Sequence, residues 1–372
     1  MKKVNGHEVI QLFEQFSPKK YAMDGDKIGL QIGRLNQQVE RVMIALDVLE
    51  EVVDEAIEKN VQLIIAHHPL IYRPLQKITF DSSYGKIIEK LIKNDIAVYT
   101  AHTNLDVAKG GVNDMLANAL GLKNIDLLVP TYENVLKKLV VFVPEQNAAE
   151  VRQALGKAGA GAIGNYSNCS FSLLGTGTFL PGENTNPHIG VRGQLETVQE
   201  ERIETIYPEH LEKRVLAALL KAHPYEEVAY DIYHLENKGE QLGLGRIGSL
   251  ESELSLKEFC EHVKTAFAVS KVRVVGNLTA KVKKVAVLGG DGNKYYSHAK
   301  FKGADVYVTG DMYYHTAHDA LMDGLNIVDP GHNVEKVMKQ GVTEVLLKLC
   351  KEKGYDVTIF PSEIDTDPFQ TV

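Results

Sequence analysis

The chain has no tryptophan and only three cysteines in 372 residues. Cys169, Cys260 and Cys350 lie far apart and match no zinc or disulfide spacing. They read as reduced thiols of a cytoplasmic protein. No apolar run approaches the roughly 20 residues that span a bilayer. The start, Met-Lys-Lys-Val-Asn-Gly-His, has no apolar stretch behind its lysines and does not read as a signal peptide. Basic residues are not in excess: 41 Lys and Arg face 49 Asp and Glu, for a net charge of -8. That makes nucleic acid an unfavourable partner, because phosphate neutralisation needs a basic face. There is no G-x-S-x-G elbow. Gly243-Leu-Gly245-Arg-Ile-Gly248 matches G-x-G-x-x-G, but no helix opens until after Ser255, so a dinucleotide site lacks its context.

What is present is an alternation of strands and helices. Helical periodicity over 7–16 precedes a turn and short strand over 24–33. Strands at 39–49, 61–66 and 97–101 alternate with helices at 50–59, 84–94 and 112–120. This is the pattern of βαβ units and a mostly parallel sheet. It breaks near Pro130. From there the order is strand, helix, strand, strand, helix, strand over 136–235, with a Gly-, Pro- and Asn-rich loop over 177–193. That order is the ferredoxin-like plan. The α/β pattern then resumes, with Ser255 capping a helix and Glu258 completing a capping box. The expected division is one α/β domain from residues 1–130 and 237–372, interrupted by an α+β insert at 131–236.

Ligand-type residues recur where these strands end. The apolar run Val61–Ala66 ends in His67-His68-Pro69. Pro69 pushes His68 to an extended backbone and stops regular pairing, so both imidazoles can project from the strand's carboxyl end. In an open α/β sheet that end is where ligands bind. The next strand leads to Asp106, and a late one to His332 and Glu335, three apart on the first turn of a helix. If the strands share one parallel sheet, His67, His68, Asp106, His332 and Glu335 meet at one edge. Each segment alone reads equally well as a turn; together they exceed what one tetrahedral zinc needs. Five nitrogen and oxygen donors suit two divalent ions about 3.5–4 Å apart. Without a thiolate the ions would be zinc, manganese, iron or cobalt. Asp47, His102 and Asp311 also follow strands and are candidate proton-transfer groups or supports for the ligands. His315 and His318 share a helix face and either line the cleft or face solvent.

His67-His68-Pro69-Leu70, Thr103-Asn104-Leu105-Asp106, Thr309-Gly310-Asp311, Asp329-Pro330-Gly331-His332 with Glu335, and Asp26-Lys-Ile-Gly29-Leu-Gln-Ile-Gly33 together resemble the Nif-three-like family, whose bacterial members are the GTP cyclohydrolase type-two homologues. The resemblance implies a dinuclear metal site on the same five residues and a toroidal homo-hexamer with the sites facing inward. One departure is Gly25, where the family usually has Trp before the aspartate. His223-Pro224-Tyr225-Glu226-Glu227-Val-Ala-Tyr230-Asp231 resembles the longer members, whose insert is similar to PII signalling proteins and CutA. The expected activity is metal-dependent hydrolysis of a small nucleotide-like or cyclic amide compound. The alternatives are a non-enzymatic metal-delivery or regulatory scaffold, whose insert senses a small molecule, and a purely structural protein.

Overall fold

A computed structural model describes residues 2–370. The chain divides into two units. One comprises the residues up to Tyr132 together with those from Leu242 onward; the other is Glu133–Gln241.

The first unit contains two larger sheets where the sequence reading expects one. The five-stranded sheet runs in the order Thr358–Pro361, Arg41–Ala45, Leu63–Ala66, Ala97–Thr100, Gly29–Ile32. Its first four strands are parallel, and Gly29–Ile32 is antiparallel to its neighbour. The six-stranded sheet runs Arg273–Val275, Asn326–Asp329, Val306–Gly310, Lys281–Asp291, Gln241–Ser255, Lys123–Glu133. Its three central strands, Asn326–Asp329, Val306–Gly310 and Lys281–Asp291, are parallel. Strand periodicity cannot say which sheet a βαβ unit joins, because both solutions bury the same side chains.

Lys123–Glu133 is a strand that the sequence reading leaves as a connection, although the boundary between the units does fall close to Pro130, between Tyr132 and Glu133. Pro130 argues against a central strand, yet a proline is tolerated on an edge strand, and this strand is at the edge. One apolar core joins the two sheets. Ile44, Ile65 and Tyr99 from one and Val287, Val308 and Val328 from the other belong to the same buried cluster, with Leu116 and Met338 from two helices. The helix Leu256–Phe267 starts as expected: Ser255 accepts from the Glu258 backbone, and the Glu258 carboxylate accepts from Ser255.

In Glu133–Gln241 the strands Leu136–Pro144, Phe171–Phe179, Glu196–Pro208 and Tyr230–His234 form an antiparallel sheet. Numbered in chain order, they lie side by side as fourth, first, third, second. The helices Ala148–Lys157 and Glu212–Ala222 bury Val151, Leu155, Val215 and Leu219 with Val141 and Ile203 of the sheet. Phe171–Phe179 runs further into the glycine-rich stretch than the sequence reading allows, because its full length pairs with Glu196–Glu204.

No helix among the described residues is long and apolar enough to cross a membrane.

Candidate metal centre

The carboxyl ends of parallel strands from both sheets meet at one place. Arg41–Ala45 is followed by Asp47, Leu63–Ala66 by His67 and His68, and Ala97–Thr100 by His102 and Asp106. From the second sheet, Lys281–Asp291 brings in Gly289 and Gly290, Val306–Gly310 is followed by Asp311, and Asn326–Asp329 by His332 and Glu335.

Glu335 is the hub. Its Oε2 is 3.1 Å from His68 Nε2, 3.2 Å from His332 Nε2 and 3.7 Å from His67 Nε2. Asp106 Oδ1 is 3.6 Å from His67 Nε2. His332 and Glu335 sit in the short 3₁₀ helix His332–Lys336. Side chains three apart eclipse one another in such a helix, so both reach the same point. His102 also joins: potential donor atoms of His67, His68 and His102 lie within 4.8 Å of one another.

Each imidazole is tethered through Nδ1. His67 Nδ1 is 2.9 Å from the Ala101 carbonyl, and His68 Nδ1 is 2.7 Å from Asp47. His102 Nδ1 is 2.8 Å from Asp26, and His332 Nδ1 is 2.6 Å from Asp311. Donation from Nδ1 leaves Nε2 with its lone pair aimed inward, as in metal-binding histidines backed by a carboxylate or carbonyl. Asp26 itself is held by the backbone and hydroxyl of Thr103. Asp47 accepts a second bond from Thr366, and Asp365 accepts from Asn333, so the C-terminal segment braces both halves of the cluster.

The carboxylates of the cluster favour positive charge within it. Burial opposes protonation of His68, but hydrogen bonds to Asp47 and Glu335 raise its pKa to about 10. The Glu335 hydrogen bond, against burial, raises His332 to about 9. Burial lifts Asp106 to about 6. Burial also disfavours charge on Glu335, yet its imidazole neighbours hold it well below the usual carboxylate range.

A metal fits this arrangement. His67 Nε2 and Asp106 Oδ1 are buried with no hydrogen-bond partner, and leaving both so costs free energy unless something binds them. Donors 2.0–2.2 Å from a tetrahedral ion stand about 3.4 Å apart, close to the separations found. The backbone makes room for them. A Cβ at Gly289 would stand 2.8 Å from Glu335 Oε1, and one at Gly290 3.3 Å from His332 Nε2. A cleft of about 790 Å³ opens beside the cluster, lined by Asp47, His68, His332, Lys271, Arg273 and Phe369. That volume suits a small molecule.

The structure therefore gathers His67, His68, Asp106, His332 and Glu335, the five residues singled out from sequence. Asp47 and Asp311 lie one step out, hydrogen-bonded to the His68 and His332 rings respectively. His102, read from sequence as a proton carrier, has its ring among the donors. His315 and His318 pack against Tyr314 and join none of the metal-capable groups among the described residues. Sequence reasoning gave no role to the Asp26 tether, the Gly289-Gly290 approach or the Thr366 brace. Only the early Asp26 motif carried a signal, and it did not point to His102.

The fold and the cluster define a mixed α/β protein whose strand ends assemble histidines and carboxylates that could hold a metal ion. Residues 4–368 match the family model Duf34/NIF3 (NGG1p interacting factor 3), and the chain belongs to that family. It is 61% identical over 369 residues to the GTP cyclohydrolase 1 type 2 homolog of Halalkalibacterium halodurans, covering 99% of each chain. The Bacillus subtilis protein of the same name is 60% identical over 368 residues, again covering 99% of each. Among solved structures, a Bacillus cereus protein related to NIF3 superposes with a TM-score of 0.96 at 64% identity, covering 100% of each chain.

Proposed function

We propose that His67, His68, Asp106, His332 and Glu335, with His102 as a sixth donor, hold two divalent ions, and that the chain is a metal-dependent hydrolase of a small nucleotide-like or cyclic amide compound. One observation carries the reading: four imidazoles tethered at Nδ1 turn toward two buried carboxylates, and His67 Nε2 and Asp106 Oδ1 have no hydrogen-bond partner. Six donors in three overlapping groups exceed the capacity of one tetrahedral ion. Zinc fits the nitrogen and oxygen set, as do iron, manganese and cobalt. Ions held by these residues would supply Lewis acidity for activating water.

The chain's own residues do the rest. Asp47 and Asp311 hold the His68 and His332 rings in the tautomer that presents Nε2. Both carboxylates line the cleft, where they can take up a proton released beside the cluster. The name GTP cyclohydrolase 1 type 2 homolog carried by the relatives agrees with a purine nucleotide as substrate.

We read Glu133–Gln241 as a ferredoxin-like, PII/CutA-like insert, a reading supported by its fourth-first-third-second strand order. Its separate cavity favours the second reading, a metal-binding regulatory scaffold. The family resemblance supports a toroidal hexamer, which light scattering tests.

Elemental analysis of wild type beside His68→Ala and Glu335→Ala tests the site: about two ions per chain are expected in wild type and depletion in both variants. Wild-type metal content in the variants refutes the assignment. Full occupancy without turnover of nucleotides, phosphoesters or cyclic amides favours the scaffold.

A further inference from the structure

The insert contains a cavity of about 680 Å³, formed entirely by residues between Phe142 and Ala229. That volume is typical of small-molecule sites. Its walls are mostly apolar and aromatic. Tyr225 packs edge-on against Phe179 with ring centroids 5.8 Å apart, and His188 lies 6.3 Å from it. Phe142 and Leu173 also line the cavity.

One buried charged group is set into this wall. Glu200 is only 8% exposed, and its Oε1 accepts the Tyr225 hydroxyl at 3.0 Å. No Lys or Arg pairs with it among the described residues. The cationic residue of the lining, Arg202, is engaged by Glu204 at 3.0 Å. The facing strand is hollowed at Gly177, where a Cβ would stand 2.1 Å from Glu200 Oε2. Glu226 and Glu227 add negative charge at the lining. A carboxylate this buried and without a counter-charge is costly, and a bound cation offsets the cost.

We infer that this cavity is a binding site for a small organic cation: an ammonium, amidinium or guanidinium group on an apolar or planar body. The cationic group would donate to Glu200, and its body would lie against Tyr225 and Phe179, whose faces attract positive charge. Anionic ligands such as nucleoside phosphates would find Arg202 already paired with Glu204 and would face Glu200, Glu226 and Glu227. The inference is independent of the metal centre.

Benzamidine is a suitable probe, being planar and cationic, with benzoate as its anionic counterpart. Isothermal titration of the full-length protein, with metal and with chelator, should show saturable benzamidine binding that is the same in both and absent for benzoate. Glu200→Gln should weaken it about tenfold or more, the usual effect of losing a charge-assisted hydrogen bond. Phe179→Leu keeps the apolar volume and removes the ring, and should weaken it about two- to fivefold. Metal content should be unchanged in both variants. The inference is overturned if wild type shows no saturable benzamidine binding, if benzoate binds as tightly, or if Glu200→Gln binds like wild type. Should Glu200→Gln fail to fold, unchanged affinity in Phe179→Leu overturns it.

Discussion

Replacing Asp47 by Ala removes no metal donor, yet it should weaken metal binding. Asp47 holds His68 Nδ1 at 2.7 Å and takes the Thr366 hydroxyl on its other oxygen at 2.5 Å. Without it the His68 ring loses both its fixed tautomer and its orientation. Loss of such a support typically costs about 10–100-fold in metal affinity. At free metal 100 times Kd, binding stabilises the wild-type fold by about 2.7 kcal/mol. A 10- to 100-fold weaker variant at the same metal retains about 1.4 to 0.4 kcal/mol of this, a loss of about 1.3–2.3 kcal/mol. The assay is urea denaturation of wild type and Asp47→Ala, in metal and in chelator, with a direct metal titration alongside. The gap between the two proteins should be larger in metal than in chelator by that amount. An equal gap in both conditions, or wild-type affinity in the variant, refutes the view that Asp47 acts through His68 on a metal.

Three further outcomes are expected. Gly289→Val should lower metal content in a folded protein, because a Cβ there stands 2.8 Å from Glu335 Oε1; undiminished metal by elemental analysis counts against the close approach. Glu55→Gln should destabilise the protein at neutral pH, since burial of Glu55 is outweighed by bonds from Glu363, Lys59 and Ser362 that lower its pKa. A depressed carboxylate stabilises above its unfolded pKa and loses that contribution as pH falls through the folded value. The gap to wild type in urea melts should therefore narrow on acidification, and a gap that is constant or widens contradicts it. Ser255→Ala should cost about 1 kcal/mol by removing the cap of Leu256–Phe267; no change in denaturation midpoint contradicts the capping box.

Some of the centre was legible because local chemistry dictates it. An apolar run closed by His67-His68-Pro69 can do little but end a buried strand in two imidazoles. His332 and Glu335, three apart behind Pro330-Gly331, are eclipsed in the turn they form. The cap at Ser255 and Glu258 is likewise a matter of neighbours. Other parts were not legible because they depend on distant segments. The strand Lys123–Glu133 is hidden because Pro130 argues against a central strand, and nothing in the sequence announces that this one lies at an edge. That the His102 ring turns toward the cluster is not legible either, because its tether, Asp26, lies 76 residues away.

By itself, then, the sequence determined which side chains stand at the strand ends, since strand, turn and cap follow from residues within a few positions of one another. Only the tertiary structure decided that those ends belong to two sheets rather than one. It alone set Glu335 among three imidazoles, brought Gly289 and Gly290 against it, and laid Thr366 on Asp47. These are contacts between segments far apart in the chain. They arise from burying one shared core, and no local pattern of residue types encodes them.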